Sequence, residues 1–182
     1  MVITLAMDPT RTSTLYAGTS GGVYKSVDQA GHWKQVNNGL VPGDMVKTSR
    51  ALNVTAILVN PYRPETVYAA TLAGLYKTTD EAKSWKRIGE SLQDQMIISM
   101  ILDRTREDRL YIVGRGGVLR SEDGGTSWKT INTGFTATNV RTIAQSASDA
   151  NLFYAGTNGS GLYRSTDAGD TWHPMPPLRP AN

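Results

Sequence analysis

Apolar positions along this chain fall into short runs rather than helical stripes, and the runs recur in sets of four. The first run of each set is almost continuously apolar: VITLAMDP (2–9), VTAILVNP (54–61), IISMILD (97–103) and VRTIAQS (140–146). That is the pattern of a strand covered on both faces. A polar turn such as DPTRTS (8–13) or DRTRED (103–108) leads into a second run. The second run passes through a glycine-containing turn into a third, as in TLYAGTSGGVYK (14–25), TVYAATLAGLYK (66–77), RLYIVGRGGVLR (109–120) and LFYAGTNGSGLYR (152–164). In the third runs Tyr24, Tyr76, Leu119 and Tyr163 alternate with Lys25, Lys77, Arg120 and Arg164, which is strand periodicity. An octet follows each time, SVDQAGHW (26–33), TTDEAKSW (78–85), SEDGGTSW (121–128) or STDAGDTW (165–172), and every tryptophan of the chain closes one. A short fourth run begins there: WKQV, WKRI, WKTI or WHPM.

Successive tryptophans are 52, 43 and 44 residues apart, the first interval being stretched by an insertion after Trp33. Tandem four-stranded units of about 40–50 residues predict an all-β fold, a β-propeller with four blades in this chain. The blades fall at about 2–39, 54–91, 97–134 and 140–177, with the insertion at about 40–53, and residues 1–182 form a single propeller or propeller segment. Each unit runs from its first strand to its fourth, so no split blade closes a ring within the chain. Three arrangements stay open: a ring of four blades, two chains completing a larger ring, and a segment of a longer protein.

Each octet joins a third strand to a fourth and is therefore read as a hairpin turn. Ser or Thr and Asp two residues apart can bond the turn's own N–H groups. Gly125 and Gly169 fit a position that needs positive φ. Ala30 and Ala82 stand at that position in the first two units, so those turns are expected to be distorted, or strained by about 1 kcal/mol. The closing tryptophan is expected to bury its ring against the adjoining strand or blade.

The octet resembles the Asp box, S-x-D-x-G-x-T-W, of the bacterial neuraminidase repeat. STDAGDTW matches in full, SEDGGTSW departs only in Ser for Thr, and the other two keep Ser/Thr, Asp and Trp. Propellers of this look include sialidases, family 74 glycoside hydrolases, the sortilin luminal domain and photosystem II assembly factors. The resemblance implies that Asp28, Trp33, Asp80, Trp85, Asp123, Trp128, Asp167 and Trp172 are structural and lie away from the ligand-binding end. It also implies an extracytoplasmic place, although MVITLAMDPT lacks the features of a signal peptide. Family 74 hydrolases carry a catalytic Asp just before the glycines of the second-to-third turn. Here Ser20, Leu72, Arg115 and Asn158 occupy those positions, so that carboxylate is missing. A sialidase site would need an arginine cluster with a Tyr–Glu pair, and Tyr62 and Glu65 sit in a first-to-second turn, at the wrong end.

Composition narrows the chemistry further. Hydrophobic residues make up 39% and charged residues 19%, as in a soluble globular protein, and a net charge of +3 gives no basis for nucleic acid. Lys34, Lys86 and Lys129, just after Trp on outer strands, are better explained as guards against edge pairing. No cysteine is present, so there is no disulfide framework, and His32 and His173 alone suggest no metal site. No apolar run approaches the ~20 residues that span a bilayer. Residues that break the repeat are the candidates for binding: Arg115 and Asn158 in second-to-third turns, Arg141 on the last first strand, Arg50 in the insertion and Asp94 in the next connection. Period-two spacing places Arg141 and Gln145 on one side of their strand. Phe135, in the uncharged connection TGFTATN (133–139), is either exposed or buried between blades. The resulting expectation is a non-catalytic binding or assembly module without cofactor, taking a protein or carbohydrate ligand. The alternative is a fragment or relative of a xyloglucanase- or sialidase-like glycoside hydrolase.

Overall fold

The computed structural model describes residues 1–40, 51–92 and 95–177. It is all-β, with sixteen strands in four antiparallel sheets of four, each sheet following the chain order of its strands. The first blade holds β1 (Val2–Met7), β2 (Leu15–Thr19), β3 (Gly22–Ser26) and β4 (Lys34–Gln35). The second holds β5 (Val54–Val59), β6 (Val67–Thr71), β7 (Gly74–Thr78) and β8 (Lys86–Ile88), followed by a single 3-10 turn, Glu90–Leu92. The third holds β9 (Ile97–Leu102), β10 (Leu110–Gly114), β11 (Gly117–Ser121) and β12 (Lys129–Thr130). The fourth holds β13 (Val140–Gln145), β14 (Phe153–Thr157), β15 (Leu162–Ser165) and β16 (His173–Pro174). This is the β-propeller blade that the repeat predicts.

The chain forms two compact units, Met1–Ile97 and Ile98–Asn182. In the first, Tyr16 and Val23 of blade 1 pack against Ile57, Val59, Val67, Ala69, Tyr76 and Trp85 of blade 2. In the second, Tyr111, Val113, Val118 and Ile131 of blade 3 meet Ile143, Phe153, Ala155, Tyr163 and Trp172 of blade 4. Each core is a sandwich of two blade faces whose alternating side chains interdigitate. Phe135 joins the second core, 4.6 Å from the ring of Tyr163 and 5.0 Å from that of Trp172. It is partly buried there, which lies between its two readings and nearer to burial.

Two sequence expectations change. The tryptophans are not equivalent: Trp85 and Trp172 are 3% and 1% exposed, whereas Trp33 is 39% exposed and Trp128 is half-buried. The indole N–H of Trp85 donates to the Val36 carbonyl at 2.7 Å, and that of Trp172 to Ile131 at 3.0 Å, both on the blade before. Trp128 bonds only back to Gly125 of its own turn. The strand β1 is also not covered on both faces, and Val2, Leu5 and Met7 are exposed. Burial of a blade face depends on a neighbouring blade, which a local pattern does not encode.

Candidate functional site

Each blade has two chemically distinct ends. At one end the octet and the turn between the first two strands are tied together. The amide of octet position four donates to that turn in every blade: Gln29 to Ser13, Glu81 to Glu65, Gly124 to Asp108 and Ala168 to Asn151, at 2.8–3.0 Å. Octet positions four and five both take positive φ: 59° and 71° at Gln29 and Ala30, 60° and 67° at Glu81 and Ala82, 67° and 92° at Gly124 and Gly125, and 58° and 90° at Ala168 and Gly169. The alanine turns therefore keep the geometry and bear the strain instead of distorting.

The octet carboxylates are consumed within this turn. Asp80 accepts the Ser84 hydroxyl (2.6 Å), the Thr78 hydroxyl (2.6 Å) and the Ser84 amide (2.9 Å). These bonds hold its carboxyl well below the ordinary carboxylate range. Asp123 is lowered to about 2, chiefly by the Ser127 hydroxyl and amide. Asp28 is lowered by the His32 amide and ring and by Ser26. Partial burial opposes the shift at Asp167, but bonds from Thr171 and Ser165 outweigh it. A carboxylate saturated in this way holds the turn and has no proton to trade.

Several other charges at this end are also paired. In the first unit Arg11 bridges Asp8 and Glu81, and Lys25 reaches Glu81 at 2.9 Å. A cleft of about 460 Å³ beside it is lined by Lys25, Lys34, Lys83, Glu81 and neighbours. In the second unit Arg109 and Arg120 share Glu122, and Arg120 also meets Asp170.

The opposite end carries the turn between the second and third strands. Among the described residues, every Asp and Glu except Glu90 lies in an octet or a first-to-second turn. The far end of the second unit therefore has no described carboxylate, and Arg115, Arg141 and Asn158 stand there exposed. Neither arginine has an ion pair among the described residues. Asn158 is placed by its own amide, which donates to the Asn139 carbonyl at 2.8 Å, matching the Ser20–Met1 and Leu72–Asn53 bonds of the first unit. The Arg115 turn is clasped by Asn132, whose Oδ1 accepts the Val118 amide and whose Nδ2 donates to Gly116, both at 2.8 Å. Asn37 does the same in blade 1.

Sequence reasoning did not find Asn132 or Asn139. Asparagine four residues beyond Trp in two units was the signal for the first. The Oδ1 of Asn139 is buried without a hydrogen-bond partner beside Asn158. Arg141 sits where the register of β13 against β14 shifts between Val140 and Thr142, so unbroken alternation does not relate it to Gln145. Gln145 instead accepts from the Arg104 amide and donates to Ala150, at the octet end. Arg50 and Asp94 lie outside the described residues.

The chain is similar to several known propeller proteins. The family profile described as "DUF6242 beta propeller domain" matches residues 65–180. A xyloglucanase of Hypocrea jecorina is 27% identical over 165 residues, covering 87% of this chain and 19% of the relative. A xyloglucanase of Acetivibrio thermocellus is 30% identical over 140 residues, covering 64% of this chain and 17% of the relative. The chain thus spans under a fifth of the curated relatives' length. Among solved structures, an ancestral GH74 enzyme superposes with TM-score 0.79 at 24% identity, over 96% of this chain and 24% of the other. YCF48 bound to D1 peptide superposes with TM-score 0.67 at 14% identity, over 95% and 54%. No described helix is long and apolar enough to cross a membrane.

Proposed function

This chain belongs to the DUF6242 beta propeller domain family, and we propose that it is a binding module that holds a protein ligand without transforming it. The ligand meets the end opposite the octets. Arg115 and Arg141 receive acidic groups, and Asn158 donates and accepts hydrogen bonds beside them. Arg50 and Asp94 are further ligand-binding candidates, assigned from the sequence alone.

The observation that carries this reading is the segregation of carboxylates. Glycoside hydrolysis needs two carboxyl groups roughly 5–10 Å apart. The described carboxylates of the second unit are all at the octet end, where turns and ion pairs occupy them. What remains at the other end is cationic and suited to recognition. Structural similarity to YCF48, a propeller solved with a peptide, agrees with a protein ligand.

A second reading is favoured by a separate observation: the curated relatives are xyloglucanases. In that case the chain is part or a relative of a carbohydrate-active enzyme whose acid and base lie elsewhere. One experiment divides the two. The purified chain is incubated with xyloglucan and assayed for reducing ends, and titrated in parallel with a fluorescent acidic peptide. Peptide binding that weakens in Arg115→Ala and Arg141→Ala supports the module. Hydrolysis of xyloglucan, or peptide binding indifferent to both arginines, overturns it.

A further inference from the structure

Asn-Gly is the dipeptide that closes most readily on itself, because glycine has no Cβ to hold its backbone nitrogen away from the asparagine side chain. The chain has two, Asn38–Gly39 and Asn158–Gly159, both exposed. Their surroundings differ.

Asn38–Gly39 is held fast. The Asn38 side-chain amide donates to the Lys83 carbonyl at 3.1 Å, and the Asn38 carbonyl accepts the Trp85 amide at 2.8 Å. Gly39 lies so close to the Trp85 backbone that an added Cβ would collide with the Trp85 carbonyl. Rotating this dipeptide would break a contact that fastens blade 1 to blade 2.

Asn158–Gly159 is not held in this way. Among the described residues, neither the Asn158 side chain nor the Gly159 amide makes a hydrogen bond. The bonds of the turn pass around them: the Thr157 amide and hydroxyl both reach the Gly161 carbonyl, and the Ser160 amide reaches the Thr157 hydroxyl. Blades 1 and 3 clasp this turn with Asn37 and Asn132, four residues beyond Trp, where blade 4 has Pro176. A Cβ added at Gly22 or Gly117 would run into the clasp, and one at Gly159 or Gly161 meets nothing within 4 Å. The exposure belongs to the turn and not to the place of blade 4 in the chain. Ser20 and Arg115 hold the same position in blades 1 and 3, each with a blade packed against it, and are exposed as well.

We propose that Asn158 is a site of spontaneous modification, deamidating through a succinimide while the fold protects Asn38. The Gly159 amide nitrogen, its proton lost to solvent base, attacks Asn158 Cγ. The Cγ–Nδ2 bond breaks and ammonia departs. Water then opens the ring at either carbonyl, leaving aspartate at position 158 or, where the chain now runs through the side chain, isoaspartate. One water enters and one ammonia leaves, with no change of oxidation state. The product places a carboxylate at an end of the second unit whose described residues hold none. The modification stands apart from the ligand-binding reading, but its consequence rests on that reading. The new charge follows Thr157, the register partner of Val140, and Val140 precedes Arg141, so the carboxylate competes with an acidic ligand for the arginines.

The test is to age the purified chain in mildly alkaline buffer and follow both dipeptides by tandem mass spectrometry of digests. The same chain in urea is the reference. Folded, Asn158 should convert faster than Asn38 by about tenfold or more, since Asn38 reacts only after its bonds open. In urea the two rates should converge, and Asn158→Gln should abolish conversion at that position. Equal rates in the folded chain, or a difference that persists in urea, overturns the proposal. Aged chain separated by ion exchange should also lose affinity for a fluorescent acidic peptide. Conversion with unchanged affinity overturns the consequence and leaves the modification standing. Peptide binding indifferent to Arg115→Ala and Arg141→Ala marks instead the failure of the ligand-binding reading.

Discussion

The two ends of a blade differ in what their polar groups have left to give. At the octet end the Asp carboxylate, the leading Ser or Thr and backbone groups satisfy one another, four times over. At the opposite end of the second unit Arg115 and Arg141 have no carboxylate among the described residues. Repetition therefore marks what the blade needs in order to stand, and departure from the repeat marks the residues we propose for binding. The distinction is measurable, because the first class of residue should govern stability and the second should not.

The largest effect is expected where the octet closes on its neighbour. Trp85→Ala and Trp172→Ala each remove a buried ring and its indole bond, and should cost about 3–5 kcal/mol in chemical denaturation. A loss below about 1 kcal/mol would end the case for the octet as the structural end. Next comes Asp80→Ala, which strands the Ser84 amide and two hydroxyls and should cost about 1–2 kcal/mol by the same measurement.

Acid gives an independent view of these carboxylates. Their folded values lie below the unfolded 3.8, with Asp123 at about 2. The unfolded chain thus binds protons first as pH falls. The associated stability is present in full above the unfolded value and drains away between about pH 4 and pH 2. Denaturation midpoints followed across that window should fall, and the fall should shrink in Asp123→Asn. A flat profile would mean that the octet bonds do not select the charged form.

How much of this could be read from residues alone depended on whether the cause was local. The hairpin turn was visible because Ser, Asp and Gly act within eight residues. Positive φ at octet position five showed itself through Gly125 and Gly169, but at position four Gln29, Glu81 and Ala168 hid it behind ordinary side chains. The tryptophans misled for a different reason: their sequence environments are alike, and only the presence of a neighbouring blade separates Trp33 from Trp85. At Arg141 a register shift broke the alternation on which a face assignment relies. The Asn132 clasp spans two strands, so its partner Gly116 could not be named from spacing.

Two smaller effects complete the comparison. Ala30→Gly, at φ 71° on an exposed turn, should stabilise the chain by about 0.5 kcal/mol as relief of strain exceeds the added chain entropy. Thermal melts would show it, and a loss would contradict the left-handed turn. Arg115→Ala combined with Arg141→Ala should leave stability within about 0.5 kcal/mol of the parent while acidic-peptide binding, read by fluorescence anisotropy, falls. Destabilisation by more than that would move these arginines into the structural class.

The order of strands within each sheet also bears on how the chain acquires its structure. Every sheet is a meander in which β1 meets only β2, β2 only β1 and β3, and so on, and the widest pairing in the first blade joins Val2 to Thr19. Loops this short cost little entropy to close. A blade can zip from its turns before any distant residue is recruited, which places this protein toward the fast end for β folds. Its vulnerable interval follows, when finished sheets still show their apolar faces and have yet to find one another.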